Sequence, residues 1–271
     1  MTKYLRPAIS LGLFLVLFFP LFPELVSQWS TDPDSSHGFL IPLLSAYFIW
    51  TRREELKRIP IEEWSAGIWM VLAGSVLFVF SKMGFQFYFQ CVGMLVVLYG
   101  LAAIHLGKGM VKKLTFPGLY LVFMIPLPQI VYETLTMHLR LFSTNLAYLV
   151  IRLVGIPATR EGNIIKLQTA SLIVGNPCSG LRGLVSFIVG SLAIGYLFQK
   201  KVANRVILVG VSIILAMVLN ILRLVFLAVI AHTLRLEKIP ISIHDAEGMI
   251  VLIIGLFIMF GINDFLTKKN G

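Results

Sequence analysis

Three polar side chains interrupt the apolar segments in the second half of the chain: the thiol of Cys178, the guanidinium of Arg223 and the imidazole of His244. Cys178 lies in a polar turn directly before a long apolar run, Arg223 lies inside an apolar run, and His244 heads another. A thiolate attacks carbonyl carbon, an imidazole transfers protons near neutral pH, and a guanidinium stabilises a developing oxyanion. These residue types together indicate acyl transfer.

Cys178 is expected in the first turn of a helix that begins near Pro177. Proline suits a helix start, because the N–H that it lacks would have no partner there. The free N–H groups and the dipole of such a helix favour a thiolate. Arg182, four residues on, would add positive potential on the same face. The alternative is that Cys178 is only a small buried residue at a helix cap.

Arg223 is expected to face a polar cavity or a partner. An arginine inside a membrane span costs about 2.5–3.5 kcal/mol on insertion scales, so it does not face lipid. Asn220 lies three residues earlier and shares its helical face. The alternative to a site role is a structural ion pair with Glu133 or Glu247.

His244 heads the last apolar run on the side of the membrane predicted for Cys178. Glu247, one turn on, or Asn220 would orient its ring, and the alternative is an interfacial histidine without a partner. His37, in a loop near the N-terminus, is a further candidate to line the same cavity. The histidine spacings do not match a zinc motif such as HExxH.

The composition requires that these groups are positioned by membrane helices. The chain has 271 residues, of which 58% are hydrophobic and 13% charged, whereas soluble domains carry about 25% charged residues. The net charge of +10 is spread in short basic clusters between apolar runs, which is typical of cytoplasmic loops and not of nucleic-acid binding. The sequence predicts an all-α integral membrane protein with a single polytopic domain over 1–271.

Eight transmembrane helices are predicted, of which the second and the fifth are short. Their approximate ranges are 7–26, 37–51, 64–81, 85–106, 113–128, 179–198, 204–232 and 246–265. Eight crossings place all the main basic clusters on one side, which the positive-inside rule identifies as the cytoplasm. Both termini are therefore predicted to be cytoplasmic, in the inner membrane of a cell, with Cys178 at the extracytoplasmic face.

The stretch 129–177 is predicted to be an extracytoplasmic insert. Charged residues mixed with apolar ones over 129–154 indicate an amphipathic surface helix, with a break near 143–145. A crossing here would reverse the side of the basic cluster at 200–205. The β-prone runs at 164–167 and 171–174, with turn candidates at 162–163 and 168–170, predict a small β-hairpin before the sixth span.

The polar segments, taken together, resemble those of the exosortase/archaeosortase family. The resemblance rests on CSGLR at 178–182, NxxR at 220–223 and HDxxG at 244–248, together with DSSHGFLIP at 34–42. It extends from about residue 30 to 265. One departure is Asn176-Pro177, where the family is expected to have Glu-Ala or a similar pair.

The resemblance implies a multi-pass membrane cysteine transpeptidase with Cys178, Arg223 and His244 as catalytic residues. Arg182, Asn220, His37 and Glu247 are then supporting or substrate-binding candidates, and no metal or organic cofactor is needed. Implied substrates are secreted proteins whose C-terminal signal combines a short motif, a transmembrane helix and a basic cluster, of the PEP-CTERM type. The acceptor would be a lipid, a glycan or water, and the other partners are membrane lipids.

A different class of function also fits the residues. A transporter or flippase would use Arg223 and His244 to line a pathway for an anionic or lipid-linked substrate. A non-catalytic assembly protein would depend on none of the three residues individually. The thiol separates these classes, because only the transpeptidase requires Cys178 itself.

Overall fold

The computed structural model describes residues 2–84, 86–168, 170–175, 178–236 and 241–268, with the side chains of 2–4, 241–247 and 249 outside the description. Ten α-helices lie in these ranges: α1 Thr2–Phe18, α2 Leu21–Thr31, α3 Leu40–Thr51, α4 Arg53–Lys57, α5 Ala66–Met83, α6 Phe87–Tyr120, α7 Gln129–Leu153, α8 Leu181–Phe198, α9 Val202–Thr233 and α10 Ile241–Lys268. Three short strands separate α7 from α8: β1 Ala158–Glu161, β2 Ile164–Leu167 and β3 Ser171–Ile173. The chain is thus a mostly helical membrane protein, with one small sheet among the residues described.

The predicted count of eight spans is not confirmed. In the described residues, five helices are long and apolar enough to cross a membrane, or six if the bent pair α1 and α2 forms one span. The two helices of that pair meet at 56°, within the predicted first span, where Pro20 precedes α2 and interrupts the helical hydrogen bonds. The helix in the predicted second span, α3, has 12 residues and is about 18 Å long.

The predicted fourth and fifth spans belong to one long element, α6, which bends at Gly107. This residue has φ 84° and ψ 171°, so helical hydrogen bonding is interrupted there although helix continues on both sides. A β-carbon at this position would collide with the Glu62 carbonyl oxygen. Glycine is therefore required both by the backbone angle and by the close approach of the preceding loop.

The chain divides into two compact units, Met1–Pro128 and Gln129–Gly271. In the first unit, α5 and α6 form a closely packed antiparallel hairpin. Gly74 faces Gly93, and an added β-carbon on Gly74 would lie 2.8 Å from the Gly93 carbonyl oxygen. Gly67 faces Gly100 in the same way about two helical turns along the pair. An added β-carbon on Gly67 would lie 2.6 Å from the Gly100 carbonyl oxygen. Small residues at such crossings let two backbones pack directly in a membrane.

Replacing Gly74 by alanine is expected to destabilise this hairpin by about 1–3 kcal/mol, because the new methyl group has no space against a facing backbone. Gly210→Ala in α9 is the matched control, since an added β-carbon there meets nothing within 4 Å. The midpoint of thermal unfolding in detergent should fall for Gly74→Ala and not for Gly210→Ala. Equal midpoints for the two variants would contradict the close packing.

In the second unit, α7 is one continuous helix of 25 residues, so the break predicted near 143–145 is wrong. The Thr144 hydroxyl donates to the Arg140 carbonyl oxygen at 2.7 Å, and Ser143 is bonded to a neighbouring helix. Both hydroxyls are thus satisfied without leaving the helical conformation. The buried face of α7 is formed by small and hydroxyl-bearing residues: Thr136, Ser143, Thr144, Ala147 and Ile151.

The three strands form an antiparallel sheet in the order β1-β2-β3. This sheet occupies the stretch for which we predicted a hairpin, with β1 as a strand that we did not predict. The side of the membrane on which it lies stays a prediction. Its inner residues, Ile165 and Leu167, are buried against α7 and α9. The sheet therefore ends directly before the segment that carries Cys178.

The helices α8, α9 and α10 are joined by a buried amide network at one end. The Gln199 side chain donates to Asn263 Oδ1 and to Thr267 Oγ1, each at 2.8 Å, and it accepts a bond from Asn204 Nδ2 at 2.7 Å. Arg205 donates to the Gln199 carbonyl oxygen at 2.8 Å. The network fixes the relative position of three helices, on or directly before which the candidate catalytic residues lie.

Candidate active site

Cys178 lies in the turn before α8 and not in the first helical turn, so our prediction for its local structure is wrong. The helix begins at Leu181, and its N-cap, Gly180, has φ 87°, in the left-handed region. The Ser179 hydroxyl accepts the Leu181 N–H at 3.3 Å. This reversal at Gly180 removes the basis for placing Cys178 and Arg182 on one helical face. Pro177, the expected helix start, lies outside the described residues.

Gly180 is required for two physical reasons. Its positive φ disfavours any residue with a side chain. An added β-carbon would also lie 2.9 Å from both Cγ and Nδ2 of Asn220. The turn is therefore packed directly on α9, and any displacement of Asn220 would be transmitted to the residues next to Cys178.

The thiol-bearing residue is 6% exposed and belongs to an apolar cluster of the second unit. The cluster joins α7, the sheet and α9 around Cys178; its other buried members are Ala147, Ile151, Ile156, Ile165, Leu167, Ala170, Val174, Leu224, Ala228 and Ala231. Water is largely excluded from such a cluster, which strengthens the electrostatic interactions of any charge that forms there.

Asn220 connects Cys178 to α7. Its Nδ2 donates to the Cys178 carbonyl oxygen at 3.2 Å and to Ser143 Oγ at 3.1 Å. A carbonyl oxygen can only accept, so the amide nitrogen must face Cys178, and both its hydrogens are then used. Asn220 is 7% exposed and Ser143 3% exposed. The backbone of Cys178 is thus held by a buried two-bond connection between three elements.

Arg223 follows Asn220 by one turn of α9 and is half-buried. Its guanidinium lies against α10 at Gly248, where an added β-carbon would be 3.8 Å from one terminal nitrogen and 3.9 Å from Cζ. His244 precedes Gly248 by one helical turn, so both positions lie on the same side of α10. The side chains of His244 and Glu247 lie outside the described residues.

The family model described as transmembrane exosortase matches residues 29–261. The matched range includes Cys178, Asn220, Arg223 and His244. The chain belongs to the transmembrane exosortase family. A comparison with curated proteins and another with solved structures each gave no match. Membership supports a membrane transpeptidase role in general.

His37 lies in the first unit of this exosortase chain and contacts a backbone carbonyl of the same unit. It lies in the 3-10 turn Ser36–Phe39, and its Nε2 is 3.1 Å from the Phe123 carbonyl oxygen. Its role in binding substrate stays a prediction.

The motif around His37 also has a packing role. A β-carbon on Gly38 would collide with the Trp29 indole, whose Nε1 donates to the Met124 carbonyl oxygen at 2.8 Å. The Ser-His-Gly-Phe segment is thereby fixed against residues 121–124. Part of the resemblance at 34–42 thus reflects packing.

Two further residues of the site differ in how far sequence could identify them. Arg182, a predicted supporting residue, is the second residue of α8 and is exposed; its role stays a prediction. Ser143 was missed, because a serine next to a threonine in a mixed segment indicated a break. The only signal for its contact is that Ser143 shares a helical face with Thr136, Ala147 and Ile151, all small or apolar.

Proposed function

We propose that this protein is a membrane-embedded cysteine transpeptidase that cleaves C-terminal sorting signals of secreted proteins and transfers these proteins to a surface acceptor. The signals are of the PEP-CTERM-like form: a short motif, a transmembrane helix and a basic cluster. One observation carries the proposal. The helix α9 holds the Cys178 carbonyl through Asn220 and, one turn on, places Arg223 against α10 at Gly248, one turn from His244.

In the first half-reaction, the Cys178 thiolate attacks the carbonyl carbon of the scissile peptide bond. The carbonyl oxygen takes the negative charge in the tetrahedral intermediate, and the guanidinium of Arg223 stabilises it. The intermediate collapses as the C–N bond breaks, and His244 donates a proton to the leaving amine. The products are a thioester on Cys178 and the released transmembrane helix with its basic tail.

In the second half-reaction, an acceptor amine, hydroxyl or water attacks the thioester carbonyl. His244, now neutral, accepts the proton of the attacking group. The C–S bond breaks, and the Cys178 thiolate is released. An amine acceptor yields an amide, a hydroxyl yields an ester, and water yields the free acid. The half-reactions balance without a metal or an organic cofactor.

The predicted orientation places this chemistry at the extracytoplasmic face. Secreted substrates arrive there, while their own transmembrane helix remains in the bilayer. The basic tail of the signal stays on the cytoplasmic side, as the positive-inside rule requires. The substrate helix then fixes the scissile bond at the membrane depth of Cys178, which reduces the entropic cost of positioning it.

Selective alkylation tests the nucleophile. The chain has two cysteines, so Cys91→Ser leaves Cys178 as the sole thiol. We expect one equivalent of iodoacetamide to label Cys178 and to stop cleavage of a synthetic signal peptide. The same peptide should slow the labelling, because it covers the thiol when bound. Full cleavage by protein labelled stoichiometrically at Cys178 would overturn the proposed covalent mechanism.

A further inference from the structure

The strand β3 is an edge strand that leads directly to the candidate nucleophile. The order β1-β2-β3 places β3 at one side of the sheet, and its last residue, Ile173, is five positions before Cys178. Val174, the next residue, is buried in the same apolar cluster as Cys178. An open backbone edge therefore begins beside the thiol-bearing turn.

Two backbone hydrogen bonds beside the strand establish which backbone groups of β3 face outward. The Leu167 N–H donates to the Ala170 carbonyl oxygen at 2.8 Å, and the Val174 N–H donates to the Asn163 carbonyl oxygen at 2.9 Å. Bonded pairs alternate along an antiparallel ladder, so Leu172 forms the bonded pair with Ile165 between them.

It follows that Ser171 and Ile173 direct their N–H and C=O groups away from β2. These two residues are separated by about 6.6 Å along the strand. Among the described residues, no strand pairs with this outer side of β3. Such an edge presents donors and acceptors at the period of a second extended chain.

The side chains at this edge suit an apolar contact as well. Ile173 is 68% exposed and lies opposite Ile164 on the neighbouring strand. The inward residues Ile165 and Val174 are buried, so the sheet is anchored on one face and open on the other. A peptide strand that pairs with β3 would therefore bind to a strand whose position is already fixed by packing on one face.

We infer that the outer edge of β3 binds the extended segment of the substrate that precedes the scissile bond, as an added strand. An extended peptide is the occupant, because only a peptide backbone offers N–H and C=O groups at the matching two-residue spacing. The bound segment runs parallel to β3, since both lead toward Cys178. The inference rests on the proposed function for the identity of this peptide as a sorting signal.

Proline substitution removes one outward donor and leaves the β2–β3 bonds in place. Ser171 is the first residue of β3, where proline is tolerated, and Ser171→Pro lacks the outward N–H. The matched control is Arg160→Pro on the opposite edge. Ile165 bonds to β3, so Arg160, which faces Ile165 across β1 and β2, also directs its N–H outward.

The binding assay uses a synthetic peptide with the residues that precede the transmembrane helix of a candidate signal. Fluorescence anisotropy with the Cys178→Ala protein reports its affinity without cleavage. We expect Ser171→Pro to weaken binding about tenfold relative to Arg160→Pro, and Ser171→Ala, which keeps the N–H, to bind more tightly than Ser171→Pro. Equal affinities for the two proline variants would overturn the inference.

A peptide scan keeps the inference testable if Ser171→Pro fails to fold. Peptides that are N-methylated at successive positions should lose affinity at every second position, since alternate N–H groups face β3. Uniform losses, or no binding by any peptide, would refute the edge as the binding site. Cleavage by the wild-type protein is scored separately, so failure of the transpeptidase proposal remains distinguishable from failure of the edge.

Discussion

Cleavage of a C-terminal sorting signal is expected to fall by about a thousandfold or more when Cys178 is replaced by alanine. The nucleophile forms the covalent intermediate, and loss of such a group removes the whole pathway that depends on it. Alanine fits the site, because Cys178 lies in an apolar cluster and is 6% exposed. Co-expression with a candidate signal protein, followed by its size on a gel, gives the measurement.

Cys91→Ala is the matched control for this prediction. Cys91 is the other buried cysteine, with 0% exposure within α6, and it has no part in the proposed mechanism. This variant should process the signal at the wild-type rate. If Cys178→Ala processes it equally well while correctly inserted, the transpeptidase proposal fails, and the transporter or flippase predicted from Arg223 and His244 becomes the better explanation.

The helical character of the chain could be predicted, but several boundaries could not. Long apolar runs require helices in a membrane, because backbone polar groups must be satisfied internally. The positive φ of Gly107 and the bend at Pro20 depend on tertiary contacts and on ring geometry, which hydropathy does not report. Similarly, α8 begins at Leu181, after the left-handed Gly180, whereas Pro177 had indicated a helix start about four residues earlier.

The sequence identified candidate site residues by their type, but it did not predict the hydrogen bonds between them. Inserting an arginine within an apolar run into a membrane costs free energy, so the sequence predicted that the Arg223 side chain faces a polar cavity or a partner. The structure places its guanidinium beside Gly248. The contact of Ser143 with Asn220 was not predictable, because these residues are 77 positions apart. Hydroxyls of a helix form contacts that depend on which neighbour packs there.

The variant Asn220→Asp is expected to lower kcat by about 100-fold, because it replaces a donor with an acceptor at the same shape. The Asn220 amide donates to the Cys178 carbonyl oxygen, and a carboxylate would instead present a lone pair to it. Gly180 packs directly on this side chain, so the carboxylate cannot move away. A buried polar contact that is lost in this way costs about 1–3 kcal/mol.

Asn220→Ala should lose less activity, about tenfold, since it removes the bond without introducing repulsion. Acidification gives a readout that a purely structural role would not change. Protonation of the carboxyl group introduced by Asn220→Asp restores an O–H donor toward the Cys178 carbonyl, so the ratio of its kcat to that of wild type should rise as pH falls.

Asn204→Asp is the control, because Asn204 is a buried amide on the same helix that bonds to Gln199, about 24 Å away along α9. We expect this control to lower the unfolding midpoint while its kcat ratio stays independent of pH. A pH-independent ratio for Asn220→Asp would mean that Asn220 does not position Cys178 by donating a hydrogen bond.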